Sequence, residues 1–316
     1  MNPVLPDLAV EFATSAEKAM VAAGGVELAR EAEAEPARRS EAAGLLEGLG
    51  ISDLDPRADL DSAAAAAELC RVSGRHALPY PVVAVLLSDQ VERPMALVSG
   101  SHCRVDHGDL FPVWRVVSVA GECRAASPAG APLSSRLGPF VTDLVPADET
   151  GRVDPFEPSL QLTFTAWRIL GAVERALELA VDHVQGRRQF GQTLAQFQAV
   201  QFQLADAAVA CDGLRELCRY TLWRLFSDWQ SHPVDPLALR LHAIDVGRAV
   251  LRTAQQLFGA AGLCDEYDVS ILVRHMQPDL RLPFGSEQTA NILFDAVSRH
   301  GFESLFPHGA ISGGGA

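Results

Sequence analysis

A seven-residue repeat of apolar side chains limits the fold of this chain more than any other feature. Two such series run through residues 200–225, one at Leu204, Cys211, Cys218 and Leu225 and the other at Val200, Ala207 and Leu214. A second stretch spaces its apolar residues three and four positions apart, at Leu170, Val173, Leu177, Val181 and Val184. Both spacings gather apolar side chains on one face of an α-helix. Long helices with one apolar face bury it against each other, so a helix bundle is predicted.

Two further helices complete the predicted bundle. One is expected from near Pro236, since proline suits the first turn of a helix, to about Ala261. The last is expected from about Glu287 to His300. Short connections rich in glycine and proline join these helices, which is typical of an antiparallel four-helix bundle.

The residues before the bundle have two different textures. From residue 5 to about 75, alanine and glutamate dominate and glycines and prolines break the chain into short helices, one of them capped by Asp61. Between Pro94 and Pro146 the segments ALVSG, CRVDHG, VWRVVSVAG and GPFVTDLVP predict strands, with Trp114 in their core. We therefore predict a mainly α protein: an N-terminal helical domain (1–93), a reduced β-rich middle domain (94–155) and a C-terminal four-helix bundle domain (156–316).

Composition excludes several functional classes. The net charge of -14 argues against a nucleic-acid partner, because phosphate binding needs a basic surface. None of the six cysteines forms a CxxC pair or has zinc-ligand spacing, and Cys211 and Cys218 are expected to be buried free thiols. No cationic segment followed by an apolar run opens the chain, and no stretch has the length of a membrane span. These features predict a cytoplasmic protein without a metal site.

Two motifs carry information about function. The first reads GRRQFGQTL from Gly186 to Leu194 and is followed by Phe197 and Gln198; the second reads QLFGAAG from Gln256 to Gly262. The first resembles the R-x-x-F-G…F-Q signature of the acyl-CoA dehydrogenase family, and the second resembles that family's Q-x-x-G-G-x-G turn. The resemblance covers about Leu160 to Phe302. It implies the acyl-CoA dehydrogenase fold and the cofactor FAD.

In that family, these motifs reach across a subunit interface to the FAD of a neighbouring chain. The resemblance implies that Arg187 pairs with a pyrophosphate oxygen, for which a guanidinium is well shaped. Glycines would let backbone amides approach the cofactor. The implied cofactor-binding residues are Arg187, Phe190, Gln198, Gln256, Gly259, Ala260 and Gly262. Taken singly, each also has an ordinary explanation, such as a surface arginine or a glycine that ends a helix.

The family's catalytic glutamate occupies one of two positions, and neither holds a carboxylate here. One position precedes the last helix, where this chain has Pro283 or Phe284, depending on a one-residue gap. The other lies 29 residues before Phe190 and holds Gln161. Glu287 is a weak candidate for a displaced base, because a carboxylate at the start of a helix more often interacts with the helix dipole.

Segments that hold the flavin ring within one chain of the family have no counterpart here. The chain is therefore similar to the short, divergent subunits of actinobacterial heteromeric (α2β2) acyl-CoA dehydrogenases of steroid degradation. This resemblance implies an oxidoreductase complex in which a longer subunit supplies the catalytic glutamate and this chain alone is inactive. The implied substrate is a steroid-derived CoA thioester. Two alternatives remain: a homomeric dehydrogenase that uses Glu287, and a structural homologue without flavin.

Overall fold

The computed structural model describes residues 5–89, 91–99, 103–132, 135–227 and 233–300. Some predicted features lie outside these ranges. They are residues 1–4, Gly100 of the predicted ALVSG strand, the predicted end of the family resemblance at Phe302 and the predicted domain end at residue 316. Within the described ranges, no helix is long and apolar enough to cross a bilayer.

Five helices form the N-terminal part: α1 (Asp7–Ala22), α2 (Val26–Ala34), α3 (Arg39–Gly48), α4 (Leu60–Arg75) and α5 (Val82–Leu86). The predicted cap of α4 is wrong by two residues. Asp59 is the N-cap, since its backbone is extended and its side chain accepts a hydrogen bond from the amide of Ser62. Asp61 lies inside the first turn, where its charge still faces the positive end of the helix dipole.

The middle part is a five-stranded sheet, formed by β1 (Met95–Leu97), β2 (Arg104–Asp106), β3 (Trp114–Val117), β4 (Glu122–Pro128) and β5 (Val141–Arg152). The strand order is β1-β3-β4-β5-β2, and all pairs are antiparallel except β1 with β3. The sequence did not predict β4, because the strand contains no large or β-branched hydrophobic residue and only one of its residues is buried. Trp114 is fully buried and donates a hydrogen bond to the Gly108 carbonyl at 2.8 Å, which confirms its core position.

The C-terminal part contains the four predicted long helices: α6 (Phe156–Gly186), α7 (Gln198–Ser227), α8 (Val234–Phe258) and α11 (Ser286–His300). A hairpin of β6 (Arg188–Gln189) and β7 (Gln192–Thr193) joins α6 to α7. Two short helices, α9 (Asp268–His275) and α10 (Gln277–Arg281), were not predicted because neither is long enough to show a helical repeat. Cys211 and Cys218 are buried free thiols, as predicted. The mainly α fold class is confirmed.

Two glycines let the N-terminal helices pack directly on the bundle. Where α4 crosses α6, a Cβ on Gly74 would lie 1.9 Å from the Arg168 carbonyl oxygen. Conversely, a Cβ on Gly171 would lie 1.8 Å from the Arg71 carbonyl oxygen. Residues of α1–α5 and of the bundle belong to one hydrophobic core. The division at residues 93 and 94 therefore stays a prediction.

Candidate functional site

The R-x-x-F-G motif forms the connection between α6 and α7. Helix α6 ends at Gly186, and Arg187 is extended, with its amide donating to His183 O at 2.9 Å and its carbonyl accepting from Leu194 N at 2.9 Å. These two bonds hold the hairpin against the helix end. Phe190 is at the hairpin tip with a φ of 52°, and 89% of it is exposed. The motif is thus exposed on the surface of the chain, where another molecule can contact it.

The two neighbouring arginines of this motif differ in their contacts. The Arg187 side chain is exposed and makes no hydrogen bond or ion pair with any residue that the structure describes. Arg188 is also exposed, but its Nη2 donates to the Gly191 carbonyl at 3.4 Å. Arg187 is therefore available to an anion from outside the chain.

The glycine-rich turn follows α8. Gly259 has a φ of 63°, a conformation that favours glycine, and its amide donates to Gln256 O. A Cβ there would meet nothing within 4 Å, so the turn is open to an approaching molecule. Gly262 is glycine for another reason: a Cβ would lie 2.7 Å from Gln255 O, and its own carbonyl accepts from Gln255 Nε2 at 3.2 Å. Gln256 and Ala260 are exposed.

An aromatic stack brings the two motifs to the same end of the bundle. The His183 ring, one turn before Arg187, stacks on Phe258 with centroids 4.0 Å apart. Burial and then the charge of Arg187 lower the pKa of His183, which favours its neutral form. Gln198 is exposed at the start of α7, which the hairpin ties to the same end. We call this end, with Arg187, Phe190, Gln198, Gln256, Gly259 and Ala260, the motif surface.

The two positions that the resemblance assigns to the base lie elsewhere, close to each other. Gln161 of α6 and Pro283 line one cavity of about 90 Å³, between the sheet, α5 and the bundle. Of the two candidates before the last helix, Pro283 lines this cavity, whereas Phe284 is buried outside its wall. The fold thus brings Gln161 and Pro283, which the family resemblance singled out, to the same cavity.

Charged side chains that the sequence did not single out complete the cavity wall. Arg168 pairs with Asp279 at 2.5 Å, and Arg240 donates to the carbonyls of Asp279, Leu282 and Phe284. Asp106 of β2 also lines the cavity, and burial raises its pKa to about 7.

Glu287, the weak candidate base, lies elsewhere. It is exposed in the first turn of α11 and lines a surface depression with Arg248 and Ser286. This placement fits interaction with the helix dipole.

Residues 163–293 match the family model described as acyl-CoA dehydrogenase, C-terminal domain. The whole fold is similar to the crystal structure of the ChsE4-ChsE5 complex from Mycobacterium tuberculosis, with a TM-score of 0.78 and 15% identity over 94% of this chain and 99% of that one. Residues 163–293 are therefore similar to an acyl-CoA dehydrogenase C-terminal domain, and the chain has the acyl-CoA dehydrogenase fold. Members of this family are FAD-dependent flavoproteins.

Further known proteins are similar to this chain or to part of it. A variant of the Tcur3481-Tcur3483 steroid ACAD has a TM-score of 0.76 and 18% identity, covering 92% of this chain and 98% of that chain. The cyclohex-1-ene-1-carbonyl-CoA dehydrogenase of Syntrophus aciditrophicus is 30% identical over 116 residues, which are 37% of this chain. The short-chain specific acyl-CoA dehydrogenase of Megasphaera elsdenii is 35% identical over 112 residues, which are 35% of this chain. The matched part spans 28% of the length of each of these two curated relatives.

Proposed function

We propose that this chain is the non-catalytic partner subunit of a heteromeric, FAD-dependent acyl-CoA dehydrogenase. A longer subunit binds most of the FAD and supplies the catalytic glutamate. This chain contributes the motif surface to that FAD across the interface. The reaction is the α,β-dehydrogenation of an acyl-CoA, and we infer a steroid-derived CoA thioester as substrate.

One observation carries the proposal: both family positions for the base line one cavity, and neither is a carboxylate. α-Proton removal needs a group that accepts a proton near neutral pH. The amide of Gln161 and the ring of Pro283 cannot do so. Because the fold brings both positions to the same wall, their loss removes the base from the place where the family has it.

The size of this cavity also separates the chain from a self-sufficient flavoenzyme. Sites for drug-sized ligands and cofactors occupy about 300–1,000 Å³. The cavity of about 90 Å³ fits neither a flavin ring nor an acyl chain, and it contains charged side chains of both signs. The residues present there do not fit FAD, so no catalytic step is assigned to this cavity.

The motif surface, by contrast, fits the diphosphate part of FAD. Arg187 presents an uncommitted guanidinium, whose planar fork suits a pyrophosphate. Gly259 leaves its backbone open, and Gln256 offers an exposed amide one turn before it. When bound, the flavin supplies the hydride acceptor of the reaction. Phe190, exposed over 89% of its area, is expected to be covered by the partner subunit.

The inferred partner and substrate rest on two structural similarities. One neighbour is a complex of two named subunits, and the other is described as a steroid ACAD that also pairs two named proteins. Both cover more than nine tenths of this chain. A heterotetramer of two short and two long subunits is the assembly we propose from this similarity.

Flavin content per chain tests the proposal. We expect the isolated chain to be colourless and inactive, and its complex with a longer, glutamate-bearing subunit to contain FAD and oxidise an acyl-CoA. Absorbance at flavin wavelengths and protein quantitation measure the ratio. Stoichiometric FAD with turnover in the isolated chain would overturn the proposal in favour of a homomeric enzyme. A complex that never contains flavin would favour the structural homologue.

One substitution tests the alternative that the chain is a homomeric enzyme. Glu287→Gln removes the candidate base but keeps its size and hydrogen bonding. Since Glu287 is exposed outside the cavity, we expect kcat of the reconstituted complex to stay within about twofold of wild type. A loss of a hundredfold or more would identify Glu287 as the base.

A further inference from the structure

The cavity beside Gln161 contains unused hydrogen-bonding capacity. Within the described chain, four buried atoms of residues in its wall have no hydrogen-bond partner: Asp106 Oδ1, Gln161 Oε1, Arg168 Nε and Arg240 Nε. Buried polar groups are normally paired, because an unpaired one forfeits its interaction with water. Two donors and two acceptors around one space indicate that the space holds a polar guest.

The charges of the wall favour an anionic guest. Arg168 is 4% exposed and Arg240 is fully buried. Burial lowers the pKa of Arg240 to about 10, so it remains a cation at neutral pH. The carboxylate of Asp279 pairs with Arg168, while Arg240 donates to backbone carbonyls. Arg104 also lines the wall and pairs with Asp143 outside it. When Asp106 is protonated, the wall therefore has three arginines and one carboxylate, that of Asp279, and an excess of positive charge.

The size and the apolar part of the cavity narrow the choice further. About 90 Å³ accommodates roughly three water molecules or a small organic ion. Part of the wall is formed by apolar side chains, among them Val82, Ala84, Ala96, Leu97 and Leu162. These residues can contact a methyl group, whereas a bare halide or a water cluster would leave them without apolar contacts.

We propose that this cavity binds a short-chain carboxylate of the size of acetate. Its carboxylate lies between Arg168 and Arg240, and its methyl group contacts the apolar wall. One of its oxygens accepts a hydrogen bond from protonated Asp106. When Asp106 is ionised before binding, acetate binding is therefore accompanied by the uptake of one proton at Asp106. No other bond is formed or broken. This site goes beyond the proposed partner role and does not depend on it.

Several groups on different elements face Asp106. Arg168 on α6 and Arg39 on α3 favour its ionised form, and Asp279 on α10 disfavours it. The neighbouring His107 is neutral, since burial lowers its pKa well below the usual range. Burial is the largest influence, and it outweighs the two arginines and raises the pKa of Asp106 to about 7. The protonated fraction falls about tenfold between pH 6 and pH 8, so acetate affinity should fall by about the same factor.

Acetate titration of the full chain tests the site. The measurement is calorimetry at constant ionic strength, in buffers without carboxylates, at pH 6 and pH 8. Acetate should bind saturably and about tenfold more weakly at pH 8, whereas neutral acetamide should not bind. Absence of saturable acetate binding, equal binding of acetamide, or chloride that binds as tightly as acetate would each overturn the proposal.

Variants locate the binding. Asp106→Asn should keep acetate binding and remove its pH dependence, while Asp148→Asn, at an exposed position of β5, should change neither. Ala84→Val adds two methyl groups at the wall and should weaken binding at least tenfold with the helical circular dichroism intact. Unaltered binding in a folded Ala84→Val variant, or pH dependence that survives in Asp106→Asn, would contradict this location.

Discussion

Asp106 is a buried carboxyl group that makes the stability of the folded chain depend on pH. Its pKa in the folded chain, about 7, lies above the ordinary value because burial disfavours the charged form. A raised pKa of this kind means that the folded state holds a proton that the unfolded state releases. The stabilising effect of that proton is fully present below about pH 4 and is lost as pH rises through 7.

We therefore expect Asp106 to lower the free energy of unfolding by about 2 kcal/mol between pH 5 and pH 7, relative to a chain without a titrating group at that position. Asp106→Asn should remove that decrease, because an amide does not titrate. Urea denaturation at each pH, in buffers without carboxylates, measures the difference. The exposed Asp148→Asn should follow wild type. A variant Asp106→Asn with the full wild-type slope would show that Asp106 titrates normally.

At the same scale, the sequence predicted some site residues and missed others for a physical reason. Arg187 and Gly259 belong to local motifs, so a few neighbouring letters identify them. Arg168 and Asp279 pair across 111 residues of chain, and neither belongs to a motif. Asp106 joins them only because β2 packs next to α6 and α10. Such a cluster depends on tertiary structure and has no local pattern.

At the scale of elements, the contact between α4 and α6 connects the N-terminal helices to the bundle. Gly74 and Gly171 each allow the backbone of the other helix to come close. Periodicity predicted the long helices, since each has an extended apolar face. It did not predict this crossing, because a glycine in a helix carries no information about its partner. The short α9 and α10 were missed for the lack of a full repeat.

Gly171→Ala tests the crossing. The new methyl group would lie 1.8 Å from the Arg71 carbonyl oxygen, so the helices must separate. We expect a loss of about 3 kcal/mol in the free energy of unfolding. The matched control is Gly213→Ala on α7, where a Cβ meets nothing within 4 Å and alanine should stabilise the helix by about 0.5–1 kcal/mol. Equal effects of the two substitutions in chemical denaturation would argue against close packing at Gly171.

At the scale of the whole molecule, the proposed function assigns different roles to two places, the motif surface and the cavity beside Gln161. The motif surface keeps an uncommitted Arg187 and an open Gly259 at the end of the bundle. The cavity that unites Gln161 and Pro283 is small and lacks a base at both positions. A subunit that lends contacts to another chain's flavin needs the first feature and not the second. The proposed heteromeric complex accounts for both.

Flavin release from the reconstituted complex tests this account most directly. Arg187→Ala should weaken FAD retention roughly ten- to a hundredfold, the usual effect of losing a charge-assisted contact. Arg187→Lys should recover part of it, because a point charge lacks the planar fork. Arg188→Ala, which changes the exposed neighbour, is the matched control. The measurement is FAD fluorescence after dilution of each complex. Of the two alanine variants, only Arg187→Ala is expected to release FAD faster than the wild-type complex. Equal retention of FAD in both alanine variants and in wild type would contradict the proposed role of this chain.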